Sequence, residues 1–153
     1  MCNVATSMET IEPHYASTLE GKKKLEEKKK EQERKRIDSI INMYVKDKII
    51  IYKSKAIDYE ISRISNGDKR RQVEDLYDGL ELENIPYTYE LDKRVEELEK
   101  YNIHYMDAYH IAYAESKKVD YFVTVDRQLI NASKKANLNL KVINPVKFVM
   151  EVM

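Results

Sequence analysis

The stretch YMDAYHIAYAESKKVDYFVTVD, residues 105–126, changes its hydrophobic period midway, and that change decides the fold. Over Met106 to Lys118 the apolar residues Ala108, Ile111, Ala112 and Ala114, flanked by Tyr109 and Tyr113, cover most faces of a helix, which predicts a central, buried one. The run DYFVTV at 120–125 is β-branched and aromatic and predicts a strand. Asp107 stands at the head of the helix. Asp126 closes the strand and opens the next helix. Taken singly, each reads as a helix N-cap that accepts first-turn N–H bonds. An acid at the head of a buried helix is nevertheless costly unless it is capped, paired or holding a cation.

The same alternation extends in both directions. DRQLINASKKAN at 126–137 predicts a helix, LKVIN at 140–144 a strand, and PVKFVMEVM at 145–153 a final helix with Pro145 in its first turn. Upstream, KIIIY at 48–52 lacks polar alternation, as expected of a strand buried on both faces of a parallel sheet. A helix follows, with Ser54 as cap and Ala56, Ile57, Ile61 and Ile64 as its stripe, until SNGD at 65–68 breaks it. DKRRQVEDLYDGL forms another helix ending near Gly79. IPYTY at 85–89 is either a short edge strand or an extended connection, since Pro86 cannot donate to a ladder. A further helix fits Leu91 to Tyr101.

From Thr18 to about Lys46 a long helix is expected, with Ile37, Ile40, Ile41, Tyr44 and Val45 on its apolar face. Its first half, GKKKLEEKKKEQERKR, is polar nearly all round, and Glu26–Lys30 and Glu31–Lys35 support a solvated helix. Residues 1–16, interrupted by Pro13, predict an irregular start. Strands alternating with helices imply a single α/β domain with a mostly parallel sheet.

Composition narrows the function classes. The chain has 153 residues, room for one domain with a real core. Charged residues make up 35% and balance to zero, so net charge does not single out a polyanion partner. Cys2 is the sole cysteine, which excludes an intramolecular disulfide framework and fits a reducing cytoplasm. No apolar run reaches the length of a membrane span, and a secretory signal pattern is lacking. With only Gly21, Gly67 and Gly79 there is no glycine-rich phosphate loop, and HExxH is absent.

In parallel sheets ligands bind outside the carboxyl ends of the strands. Asp107 and Asp126 fall there, and so does Glu60, about one turn into the helix after KIIIY. Three converging carboxylates repel unless a divalent cation neutralises them, and all-oxygen ligands favour Mg²⁺ or Mn²⁺ over zinc. Such a site suits in-line hydrolysis of a phosphodiester. Around it, Asp58 reads as solvent-exposed, Asp120 as a turn residue at the opposite rim, and His110 as a core histidine with a hydrogen bond. Tyr109 and Tyr113 read as packing residues rather than base-stacking platforms. The lysines at 22–24 and 28–30 read as a solvated face, and Lys69, Arg70 and Arg71 form a small basic cluster near the rim.

DAYHIAYAE, DYFVTVD and LKVINPVKF, spaced as they are here, resemble the C-terminal half of a PIN domain, a nuclease fold of many toxin ribonucleases. SKAIDYEISRI resembles the second acidic segment of that family, so the likeness runs from about Lys48 to Phe148. The resemblance implies a three-layer α/β fold and metal-site carboxylates at Glu60, Asp107 and Asp126, with Thr124 steadying the rim. It also implies Mg²⁺ or Mn²⁺ as cofactor and RNA as substrate in the cytoplasm. A small antitoxin protein and a second copy of the chain are the expected protein partners. PIN domains usually begin with a central apolar strand ending in an aspartate, commonly succeeded by Thr or Cys and then Asn or Val. MCNV resembles the residues just after that aspartate, so the strand and its acid are expected to be missing or atypical, through a late start codon or a truncation. Residues 1–8 are then the candidates to fill the central gap. The alternative function is an inactive PIN-like module that binds RNA or a protein.

Overall fold

A computed structural model describes residues 2–6 and 24–153. In chain order the elements are β1 (Cys2–Thr6), α1 (Lys24–Val45), β2 (Ile49–Lys53), α2 (Lys55–Ser62), α3 (Gly67–Leu80), β3 (Glu83–Asn84), α4 (Glu90–Glu99), α5 (Tyr105–Lys117), β4 (Tyr121–Val123), α6 (Arg127–Lys135), β5 (Lys141–Ile143) and α7 (Pro145–Val152). The expected beginning of the long helix at residues 18–23, and Pro13, lie outside the described residues.

The five strands form one sheet in the order β3-β2-β1-β4-β5, and every pairing is parallel. Its middle strand is β1, with Val4 opposite both Ile51 and Tyr121. Residues 2–6 thus fill the central gap, and the expected irregular start is replaced there by a strand. Two hydrogen bonds lock its amino end: Asn3 N–H donates to Asp120 Oδ2 at 2.9 Å, and Asp120 N–H donates to Asn3 O at 3.0 Å. Asp120 is thus the turn residue at the far rim that its position predicts.

Side chains alternate across the sheet and feed two separate cores. Ala5, Ile50, Tyr52 and Phe122 pack on the side of α4, α5 and α6, where Val95, Leu98, Ile111 and Leu129 meet them. Val4, Ile49, Ile51 and Val123 pack on the side of α1, α3 and α7, against Ile37, Val73, Tyr77 and Phe148. KIIIY lacks alternation because both of its faces are covered. Helix α2 straddles the layers, giving Ala56 to the first core and Ile57 and Ile61 to the second. Arg94 joins α4 to α5 through a bidentate pair with Glu115, at 2.7 and 3.0 Å.

Two expectations shift. The buried stripe of α1 runs through Ile37, Ile40 and Met43, and Val45 is 65% exposed on the other side. Helix periodicity places Val45 well away from that stripe, and the chain turns to β2 immediately afterwards through Asp47 in the left-handed region. The edge strand is Glu83–Asn84, and IPYTY is the extended connection. Ile85 N–H still reaches Lys53 O at 2.8 Å, but Pro86 has no N–H to continue the ladder.

Candidate functional site

The carboxyl ends of β2 and β4 and the first turn of α5 bring the sequence's acids to one rim. Asp126 caps α6: its Oδ1 accepts from Gln128 N–H at 2.9 Å and Leu129 N–H at 3.1 Å. Thr124, fully buried, accepts the Asp126 N–H on its Oγ1 at 3.1 Å, and its own N–H donates to Ile143 O. The turn after β4 is therefore fixed from both sides, and Asp126 Oδ2 has no donor among the described residues.

Asp107 differs from its expected role. The N-cap of α5 is His104, whose carbonyl accepts the Ala108 N–H at 2.7 Å, so Asp107 lies within the first turn and caps nothing. Its carboxylate has no hydrogen-bond partner among the described residues. Burial pushes its pKa up; His110 opposes this, Asp126 and Glu60 add to it, and His104 opposes it again. Two of the sequence's three acids thus act on the third through space, as converging carboxylates do.

Glu60, on α2, is held by His110. The histidine is a buried residue of α5, 3% exposed, and its Nε2 hydrogen-bonds Glu60 Oε1. The core histidine expected from the sequence thus has a specific task, fixing one acid of the rim. Asp58, two residues earlier, is exposed and paired with Lys53 at 3.1 Å. Arg70 donates to Ile64 O, and Arg71 pairs with Asp68 at 3.7 Å on the surface.

The donor set suits a hard divalent cation in kind, since it is all carboxylate oxygen. In number it falls short: among the described residues no three His, Cys, Asp or Glu side chains are grouped to hold a metal ion. The central strand supplies one reason. Cys2, Asn3 and Val4 lie within β1 rather than after it, and the residue of β1 that precedes a threonine, where the resemblance expects an aspartate, is Ala5. Ala5 lines a small pocket with Thr6, Ser54, His110 and Phe122, so a methyl group stands where a carboxylate would face the histidine's surroundings.

Beside Glu60 an open cleft of about 1240 Å³ runs between α2 and α5. Tyr59, Arg63 and Lys55 line it from α2 and its end, Tyr105 and Tyr109 from α5, and Tyr87 from the connection after β3. Asp92 organises the latter side, accepting from Tyr109 at 2.5 Å and Tyr87 at 2.6 Å. These two bonds, Tyr109 first, hold the Asp92 pKa below the usual carboxylate range. Tyr113 is buried in the core and Tyr109 packs against it, as the sequence predicts, and both also line the cleft. The recurrence Tyr105, Tyr109, Tyr113 at every fourth residue was the available signal for a tyrosine stripe along one helix face.

Glu33, in the charged half of α1, has its pKa raised by burial, with Arg127, the residue after Asp126, opposing the shift. No helix among the described residues is long and apolar enough to cross a membrane. The family model described as PIN domain matches residues 22–135. Among curated proteins none matches the sequence.

Proposed function

Because the chain belongs to the PIN domain family, a nuclease-type family, we propose that it is a divalent-metal-dependent endoribonuclease that hydrolyses RNA phosphodiesters. The observation that carries this reading is the setting of Asp107: it has no hydrogen-bond partner among the described residues, and burial first, then Asp126 and Glu60, push its pKa up against the opposing effect of His110. Carboxylates left in mutual repulsion beside a cleft are what a cation would relieve. Asp107 and Asp126 would hold Mg²⁺ or Mn²⁺, with Glu60 as the third oxygen ligand. When bound, the ion supplies activation of water and stabilisation of charge on the phosphoryl oxygens.

The chain's own residues do the positioning. Thr124 and the first turn of α6 fix Asp126 so that Oδ2 is the oxygen offered to the rim. His110, on α5, restrains Glu60 through one hydrogen bond. The family's metal dependence supports the cofactor. Its toxin members suggest that this chain is the toxin of a toxin–antitoxin pair in the cytoplasm, neutralised by a small antitoxin protein and assembling as a homodimer. The test is cleavage of single-stranded RNA by purified protein with Mn²⁺, set beside Asp107→Asn. We expect cleavage by the parent and none above background by the variant, and equal background rates from both would sink the proposal.

A second reading rests on Ala5. With a methyl group where the resemblance expects an acid, the rim would hold a cation weakly, and the chain would be an inactive PIN-like module that binds RNA or a protein. Ala5→Asp separates the two readings. Mn²⁺-dependent cleavage in that variant alone would show that the parent rim lacks only this carboxylate.

A further inference from the structure

The cleft beside Glu60 has two properties that charge and packing at the rim do not require. It is walled by tyrosine rings that are about half exposed, Tyr59 at 50%, Tyr87 at 48% and Tyr105 at 52%. Those rings are also held in place. Tyr105 meets Tyr109 edge to face with centroids 5.1 Å apart, and Tyr109 is tied through Asp92 to Tyr87. On α2, Arg63 donates to the Tyr59 hydroxyl at 2.9 Å and lies 5.5 Å from the ring centroid. Aromatic faces anchored before a ligand arrives lose little freedom when something stacks on them.

The cations have a consistent placement. Lys55, Arg63 and Lys69 line the same cleft, while its two acids are engaged, Glu60 by His110 and Asp92 by two tyrosines. Flat π-faces interleaved with lysine and arginine are the means by which proteins hold single-stranded nucleic acid: bases stack, and phosphates meet the cations. A duplex has its bases already stacked and would offer these rings nothing.

We propose that this cleft is a base-stacking subsite for single-stranded nucleic acid, with Tyr59 and Tyr105 as platforms and Lys55 and Arg63 on the phosphates. It would lead the strand to the acidic rim at Glu60. The inference deepens the RNA reading and rests on it for the direction of the strand alone, because binding can be measured without hydrolysis.

Fluorescence anisotropy in EDTA with end-labelled ten-nucleotide probes tests it: single-stranded RNA, single-stranded DNA of the same sequence, an abasic strand and a duplex. We expect the two base-bearing single strands to bind more tightly than the abasic strand and the duplex. Tyr59→Ala and Tyr105→Ala should each weaken single-strand binding by about fivefold to a hundredfold and leave the abasic affinity unchanged. Tyr105→Phe, which keeps the π-face, should bind as the parent does. A difference between the RNA and DNA arms identifies which strand the cleft prefers. Both rings are half exposed, so the alanine variants should keep the parent's circular dichroism and melting curve. Parent affinity in the double alanine variant, equal binding of the abasic strand, or no binding by the parent would overturn the proposal. The first of these outcomes is also what a cleft built for a protein partner would give. Absence of cleavage by the parent with intact binding of single strands counts against the nuclease alone.

Discussion

Asp120 and Asp126 stand just outside the two ends of one three-residue strand, β4, and have opposite fates. Asp120 exchanges hydrogen bonds with Asn3 through both its side chain and its N–H, and its carbonyl receives the Lys141 N–H at 3.1 Å, so it knits β1, β4 and β5 together. Asp126 spends one oxygen on the cap of α6 and acts through space on Asp107. Helix α2 repeats the contrast, with Asp58 paired to Lys53 on the surface and Glu60 held towards the rim by His110. An acid kept for structure is saturated by donors. An acid available for chemistry is held by one side only and set among like charges.

The most direct challenge to this contrast is to neutralise each end of β4 in turn. Asp126→Asn keeps a capping oxygen but loses the charge, so Mn²⁺-dependent RNA cleavage should fall at least about a hundredfold with little change in melting. Asp120→Asn should leave the cleavage rate within about twofold, because it lies at the far rim. Initial rates at one Mn²⁺ concentration decide between them, and equal losses would dissolve the distinction.

Removing the buried restraint comes next. His110→Ala leaves a cavity and takes away the partner of Glu60, and should cost about 2–4 kcal/mol, read as a lower urea midpoint at unchanged slope. The helix clamp offers a purely structural comparison. Glu115→Gln should cost about 1.5–3 kcal/mol, because the bidentate charge-assisted pair with Arg94 is lost, and cleavage per folded molecule should be unaffected.

The smallest effect carries a sign that discriminates. The folded pKa of Asp107 is raised, so its ionised form opposes folding, and stability should grow as pH falls through that value. Asp92 behaves in the opposite sense. Its folded pKa is lowered, so its contribution is present above the ordinary carboxylate value of about 3.9 and is lost as pH falls below it. In EDTA, Asp107→Asn should therefore melt above the parent at neutral pH, with the gap closing towards acid. Thermal melts from neutral to acid pH would show this, and a variant that melts lower throughout would mean that Asp107 is a structural acid after all.

Most of the frame was legible because its signals are local. KIIIY, DYFVTV and LKVIN are short β-branched runs between amphipathic segments, and each became a parallel strand within a residue or two of its expected span. The central strand was not legible. CNVAT has five residues, no run of bulky apolar groups and no acid, so only the demand of β2 and β4 for a partner on their inner edges reveals it. The acids of the rim could be named from their positions after strands, yet the role of His110 could not, since its partner Glu60 is 50 residues away. The tyrosine cleft was hidden for a related reason. Its walls come from α2, α5 and the connection after β3, and no single stretch contains more than part of it.

The placement of β1 also has a kinetic consequence. Its neighbours on the two sides are residues 49–52 and 121–123, and its bond to Asp120 closes a loop spanning 117 positions. Closing such loops is entropically expensive and slows folding relative to local helix formation. The helices can form early, but the sheet cannot join its halves until the far half has been synthesised and docked. Glu60 and Asp126 sit on opposite sides of that seam, so the acidic rim and the mouth of the cleft depend on long-range pairing and not on any local element. A nascent or partly folded chain therefore has no assembled rim.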